Sequence, residues 1–298
     1  MTDPIPPKRI FADAKVDAEA AKHVPSSPQT ESAAYQLAFQ DKEFLLREDL
    51  RPVRFQLELL KPELFLDEQQ IGSTFVFYGS ARVPEPVKAQ ALLAAASTDK
   101  ERVIAERLVA KSHYYDVARE LAGLVSKTDR DPEGRRHFVV CSGGGPSFME
   151  AANSGAQDVG AESIGLNIVL PHEQLPNPYV TPDLSFQFHY FALRKMHFLL
   201  RARAVAVFPG GFGTFDEFFE LLTLIQTGKV RQLPVLLFGR EFWSRVVDFD
   251  ALVEEGVIAR SDLNIFHWCE DATEAWDFVQ RYYERDPAPP RQQRGPPE

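Results

Sequence analysis

The chain has 298 residues, 44% of them hydrophobic and 26% charged, enough for one large α/β domain with a well-buried sheet. A formal charge of −10 argues against the basic surface that nucleic-acid binding requires, and no apolar run is long enough to cross a bilayer. The opening MTDPIPPKRIFADAK lacks the apolar core of a signal peptide, so a cytoplasmic setting is expected. Cys141 and Cys269 provide no disulfide framework and read as small buried hydrophobes.

Residues 1–30, rich in Pro, Ala, Asp and Lys without sustained periodicity, are expected to be a disordered tail, and 286–298 a mobile proline-rich one. Residues 31–70 form a helical lead-in expected to pack on the main domain, with apolar positions such as Leu37, Phe44, Leu57 and Leu60, and breaks at Pro52 and Pro62. A dimer contact there fits the pattern equally well. Residues 71–285 make the main domain. Its first strand is Thr74–Tyr78, followed by Gly79-Ser80-Ala81-Arg82, a tight turn from which Arg82 meets an anion or simply faces solvent. Helix is expected from Glu85 to about Leu124, interrupted near Ser97-Thr98.

A second strand, His137–Cys141, leads into Ser142-Gly143-Gly144-Gly145-Pro146 and another helix; Ser163–Leu170 and Leu184–Tyr190 follow as strands three and four. The segment from Phe188 to Lys229 is the centre of the pattern. It carries Arg194, Lys195, Arg201 and Arg203, an apolar run from Ala204 to Phe208, the turn Pro209-Gly210-Gly211-Phe212-Gly213-Thr214, and a strongly helical stretch. Glycines at a strand end allow close backbone approach, and a helix start exposes free N–H groups, with Thr214 as the expected cap; such a turn binds phosphate. Glu217 is expected in the first helical turn and Glu220 one turn on, where helix-dipole compensation explains an acid as well as catalysis does. Arg201 and Arg203 read as a solvated helix face. Strand Pro234–Phe238, a helix from Phe242 to Val257, strand Phe266–Cys269 and a helix from Asp271 to Tyr283 complete the chain.

Strands alternating with helices imply a doubly wound, mainly parallel sheet covered on both faces, with the three glycine turns meeting at one crevice. A dinucleotide fingerprint fails because Phe148 occupies its sixth position, and no P-loop pattern occurs. The seven histidines show no metal-ligand spacing, and nothing around Lys195 or Lys229 suggests a pyridoxal site, so no metal and no cofactor are expected.

Arg194-Lys195 followed by P-G-G-x-G-T-x-x-E over Pro209–Glu217, with Glu220, Thr223, Gln226 and Gly228 beyond, resembles the LOG family in its longer-chain branch. These are nucleoside 5′-monophosphate phosphoribohydrolases known for activating cytokinins and often mislabelled lysine decarboxylases. The resemblance spans roughly Ile71 to Tyr283 and implies a Rossmann-like fold, hydrolysis of a purine nucleoside monophosphate such as AMP or an N6-substituted AMP, and a homodimer. It implies Arg194 and Glu217 as the catalytic pair and Gly210, Gly211, Gly213 and Thr214 as the phosphate loop. Further ligand-site residues would be Ser80, Arg82, Gly143, Gly144, Gly145, Glu150, Lys195 and Glu220. Asn167, Glu173 and Asn177 are similar to that longer branch without an assigned role. Ser147 stands where the family has glycine, and either resists the turn's conformation or caps the helix. A nucleotide or cofactor carrier without turnover is the alternative on the same fold.

Overall fold

A computed structural model describes residues 13–171 and 175–285 of the chain. The chain divides into two units, Met1–Leu60 and Lys61–Glu298. In the first, helix α1 (Ala14–Ala20) is capped by Asp13 and buries no side chain, a local helix within the stretch expected to lack structure. Helix α2 (Lys42–Leu45) is capped by Asp41, and Arg54 donates to the carbonyls of Leu45 and Arg47 at 2.8 and 2.6 Å. Helix α3 (Arg51–Glu68) is not broken by its prolines. Pro52 occupies the first turn, where a missing N–H costs nothing, and the helix runs on through the buried Pro62. Glu173 and the tail 286–298 lie outside the described residues.

The second unit holds strands β1 (Thr74–Tyr78), β2 (Val139–Ser142), β3 (Ile164–Ile168), β4 (Ser185–Phe188), β5 (Ala202–Val207), β6 (Val235–Phe238) and β7 (His267–Cys269). They form one sheet in the order β4-β3-β2-β1-β5-β6-β7, every pair parallel. The winding reverses between β1 and β5, the place where an open α/β sheet leaves a crevice at the carboxyl ends of its strands. Between the strands run α4 (Pro86–Ala95), α5 (Asp99–Val125), α6 (Phe148–Asp158), α7 (Phe191–Leu200), α8 (Phe212–Gln226), α9 (Arg240–Val246) and α10 (Phe249–Glu254), and α11 (Ala272–Arg285) follows β7. The break expected near Ser97-Thr98 is a capping box: Thr98 accepts from Glu101 N, and the Glu101 carboxylate accepts from Thr98 N. The single helix expected from Phe242 to Val257 is two, because Asp248 caps a new start on Ala251 N.

Side-chain alternation along β1 divides the core. Phe75 and Phe77 face α5, α6 and α11, whereas Val76 and Tyr78 face the side covered by α7, α8 and α9. Arg201 and Arg203 are not a solvated helix face. Arg201 ends α7 nearly fully buried, holding Glu63, Asp67 and the Ile71 carbonyl, and Arg203 lies in β5 with its guanidinium carbon 5.1 Å from the Tyr283 ring centre. Among the described residues no helix is long and apolar enough to cross a membrane.

Candidate active site

At the reversal point lies a cavity of about 720 Å³, bordered by the turns after β1, β2 and β5. Its volume is in the range of sites for drug-sized ligands. The three glycine turns expected to converge do so.

Arg194 and Glu217 face each other in this cavity. Arg194 projects from α7; its Nε donates to the carbonyl of Leu166, midway along β3, at 2.7 Å, and its guanidinium carbon stands 5.0 Å from the Phe198 ring centre. Room for the guanidinium exists because Gly143 has no side chain: a Cβ there would fall 2.6 Å from Arg194 Nη2 and 2.8 Å from Met149 Sδ. Glu217 projects from α8 and takes Arg194 Nη1 at 3.5 Å, with the two side chains only 11% and 13% exposed. Burial lifts the Glu217 carboxyl to about 7 against the opposing pull of Arg194, while Asp216 and Glu220 lift it further. Burial also lowers the Arg194 pKa, partly countered by Glu217.

Helix α8 starts earlier than its sequence suggests. Gly211 is the cap and Phe212 the first helical residue, so Thr214 lies within the first turn with its side chain buried, and Glu217 falls in the second turn. Its first turn holds no acidic residue, which removes dipole compensation as an explanation for Glu217. The first bond of the helix runs from Phe215 N to the Gly211 carbonyl, so the N–H groups of Phe212, Gly213 and Thr214 precede it on cavity-lining residues. Gly210 does not border the cavity. It packs beneath Thr214, whose side chain occupies the space a Cβ would need.

The turn after β2 is held from below by a buried polar network. Ser142 Oγ donates to Asn153 Oδ1 at 2.7 Å, Asn177 Nδ2 donates to Asn153 Oδ1 and to the Gly145 carbonyl at 3.0 Å each, and Gly144 N donates to Ser142 Oγ at 3.0 Å. Gly144 adopts φ 71°, and Ser147, with φ 66° and ψ −128°, takes a conformation suited to glycine. The Ser147 side chain does not cap α6; it donates to the Val83 carbonyl instead.

The other expected site residues separate into two groups. Ser80, Arg82, Gly143, Gly145, Gly211, Gly213 and Thr214 border the cavity, with Ser80 Oγ accepting from Arg82 N at 3.0 Å. Gly144 shapes its turn without lining the cavity. Lys195 turns aside to pair with Asp216 at 2.8 Å and Glu220 at 3.1 Å, and Glu150 borders a separate cavity of about 150 Å³ beside Tyr115. Tyr78 and Phe198 border the main cavity and were not anticipated, because an aromatic ring at the end of an apolar run reads as core.

Among the described residues no competing constellation carries chemistry. Ser73, His137 and Asp131 form a hydrogen-bonded chain of 3.0 and 2.9 Å at the amino end of β1, but Ser73 is 3% exposed and its Oγ also accepts from Phe138 N. Cys141 is buried, which pushes its thiol pKa up. No group of three or more metal-ligating side chains occurs among the described residues.

Residues 149–279 match the family model described as possible lysine decarboxylase. The Arabidopsis thaliana cytokinin riboside 5′-monophosphate phosphoribohydrolase LOG2 is 24% identical over 176 residues, covering 58% of this chain and 78% of that protein. A probable counterpart, LOGL3 of Oryza sativa subsp. japonica, is 26% identical over 181 residues, covering 58% and 78%. Over these residues the chain is similar to the LOG family. The Escherichia coli K12 pyrimidine/purine nucleotide 5′-monophosphate nucleosidase is 29% identical over 140 residues, covering 42% of this chain and 29% of that protein. Among solved structures, the molybdenum cofactor binding protein of Rippkaea orientalis superposes with a TM-score of 0.42 at 18% identity, covering 70% of this chain and 94% of that one. The Moco carrier protein of Chlamydomonas reinhardtii gives 0.42 at 18%, covering 72% and 99%.

Proposed function

We propose that the chain hydrolyses the N-glycosidic bond of a nucleoside 5′-monophosphate, AMP or an N6-substituted AMP, to the free base and ribose 5-phosphate. The observation that carries this is the Arg194–Glu217 pair, buried in one cavity with the open helix start at Phe212–Thr214. The N–H groups and the positive helix end suit a phosphate dianion, so phosphate bound there holds the anomeric carbon near the pair. Relatives with nucleotide-hydrolysing names support the same class of reaction.

In the proposed step, water oxygen bonds to C1′ as the C1′–N bond breaks and its electron pair passes to the base. One water proton goes to the Glu217 carboxylate and is passed on to the departing base, which regenerates the carboxylate, so atoms and charge balance. Glu217 also stabilises positive charge developing on the sugar. Arg194, fixed by the Leu166 carbonyl, orients Glu217 and offsets negative charge on the leaving base. A net charge of −10 supports a small anion held by local groups over a nucleic-acid partner.

Incubation of the purified chain with AMP, with adenine and ribose 5-phosphate assayed by chromatography, tests the proposal. Equimolar appearance of both products is the expected result. Binding of AMP without release of base would overturn it in favour of a carrier.

A further inference from the structure

Tyr78 ends β1 with its side chain on the sheet face covered by α7 and α8, the two helices that carry Arg194 and Glu217. It is 4% exposed and borders the cavity. Its ring meets Phe198 edge-on with centroids 5.1 Å apart, and the Arg194 guanidinium carbon stands 5.0 Å from the centre of that same Phe198 ring. Phe198 therefore packs against both Tyr78 and Arg194. Packing against Phe198 asks only for a phenyl ring here, yet the chain carries a hydroxyl, for which no hydrogen bond occurs among the described residues. The hydroxyl is not among the fully enclosed polar atoms that lack a partner, so it reaches the cavity space and is open to a group bound there.

The geometry limits what that partner is. If phosphate occupies the Phe212–Thr214 end and C1′ lies within reach of Glu217, the sugar fills the space between, and its ring hydroxyls lie beside C1′. We propose that Tyr78 Oη binds a ring hydroxyl of the nucleotide's ribose, making the site selective for ribonucleotides over the corresponding deoxynucleotides. This rests on the hydrolase function proposed above. Burial and the nearby Glu217 charge push the phenol pKa well up, so the group stays protonated and able to donate at neutral pH.

The test compares the wild-type chain with Tyr78→Phe on AMP, 2′-deoxy-AMP and 3′-deoxy-AMP. Phenylalanine keeps the ring against Phe198, and thermal unfolding checks that the variant is folded. With AMP, kcat/KM is expected to fall about 10- to 100-fold; with the deoxynucleotide that lacks the contacted hydroxyl, the two proteins should agree within about threefold. Equal losses on all three nucleotides, or no loss with AMP, overturn the assignment while leaving the hydrolase function intact. A wild-type chain that releases no base from any of them overturns both. Should the variant not fold, calorimetry on the wild type decides: ribose 5-phosphate is expected to bind about tenfold tighter than 2-deoxyribose 5-phosphate or its 3-deoxy analogue, and equal affinity for all three overturns the assignment.

Discussion

Arg194 reaches Glu217 across two helices with its orientation already fixed by a third element: Nε is bound to the Leu166 carbonyl of β3, leaving Nη1 to face the carboxylate at 3.5 Å. The guanidinium is thus held from behind and does not depend on its partner for placement. Glu217→Gln should therefore leave Arg194 in position and remove the carboxylate alone. Turnover of AMP is expected to drop by about 100-fold or more with little change in KM. Arg194→Lys should also fail, because an ammonium group cannot bond the Leu166 carbonyl and face Glu217 through a planar fork. Near-normal rates in either variant would remove the pair from the mechanism.

The Glu217 carboxyl is raised from the ordinary 4.5 to about 7, first by burial, so the folded chain holds this proton more tightly than the unfolded chain. Between those values the folded state binds the extra proton, and the contribution of Glu217 to stability is present at low pH and lost as pH rises toward 7. Glutamine has no such proton. The stability of Glu217→Gln relative to wild type should climb from pH 4.5 to pH 8 by on the order of 3 kcal/mol, while wild-type kcat/KM rises through a limb near pH 7 as the carboxylate forms. Urea unfolding at several pH values measures the first; a difference that stays flat with pH would refute it.

Much of this architecture is legible in the sequence because parallel strands buried on both faces are written as continuous apolar runs. Thr74–Tyr78 has the same bounds in the structure, and Arg194 and Glu217 stand together, as the family resemblance implied. The failures share a cause, which is partners distant in sequence. Arg201 looks like a surface cation until Glu63 and Asp67, more than 130 residues earlier, are brought against it. Arg203 looked equally exposed until Tyr283 from α11 covered it. Lys195 sits beside Arg194 in the chain, yet one helical step turns it toward Asp216 and Glu220 and away from the cavity.

Two glycine-to-alanine changes should separate site from scaffold. At Gly143 the new Cβ meets the far end of the Arg194 side chain and the Met149 sulfur, which can shift without moving backbone. Gly143→Ala is expected to keep its melting temperature within about 3 °C and to lose about 10- to 100-fold in turnover as the guanidinium is displaced. At Gly155, on α6, the Cβ instead runs into the Arg119 carbonyl of α5, where only the helices themselves can yield. Gly155→Ala should destabilise by about 1–3 kcal/mol. Thermal scans paired with AMP assays check both, and a Gly143→Ala chain with wild-type rates would show that the guanidinium's place is not critical.

Ser147 offers a test of strain against hydrogen bonding in the turn after β2. At φ 66° and ψ −128° its Cβ is held in a region natural to glycine, at a cost of about 1–3 kcal/mol. Its Oγ recovers part of this by donating to the buried Val83 carbonyl. Ser147→Ala keeps the strain and loses the bond, so it should be less stable than wild type by about 1 kcal/mol or more. Ser147→Gly loses the same bond but also releases the strain, so it should unfold at a denaturant concentration no lower than wild type. The order expected from urea midpoints is alanine below serine, with glycine at or above serine. Alanine and glycine variants of equal stability would mean that this backbone costs serine nothing, and that the hydroxyl alone accounts for the residue.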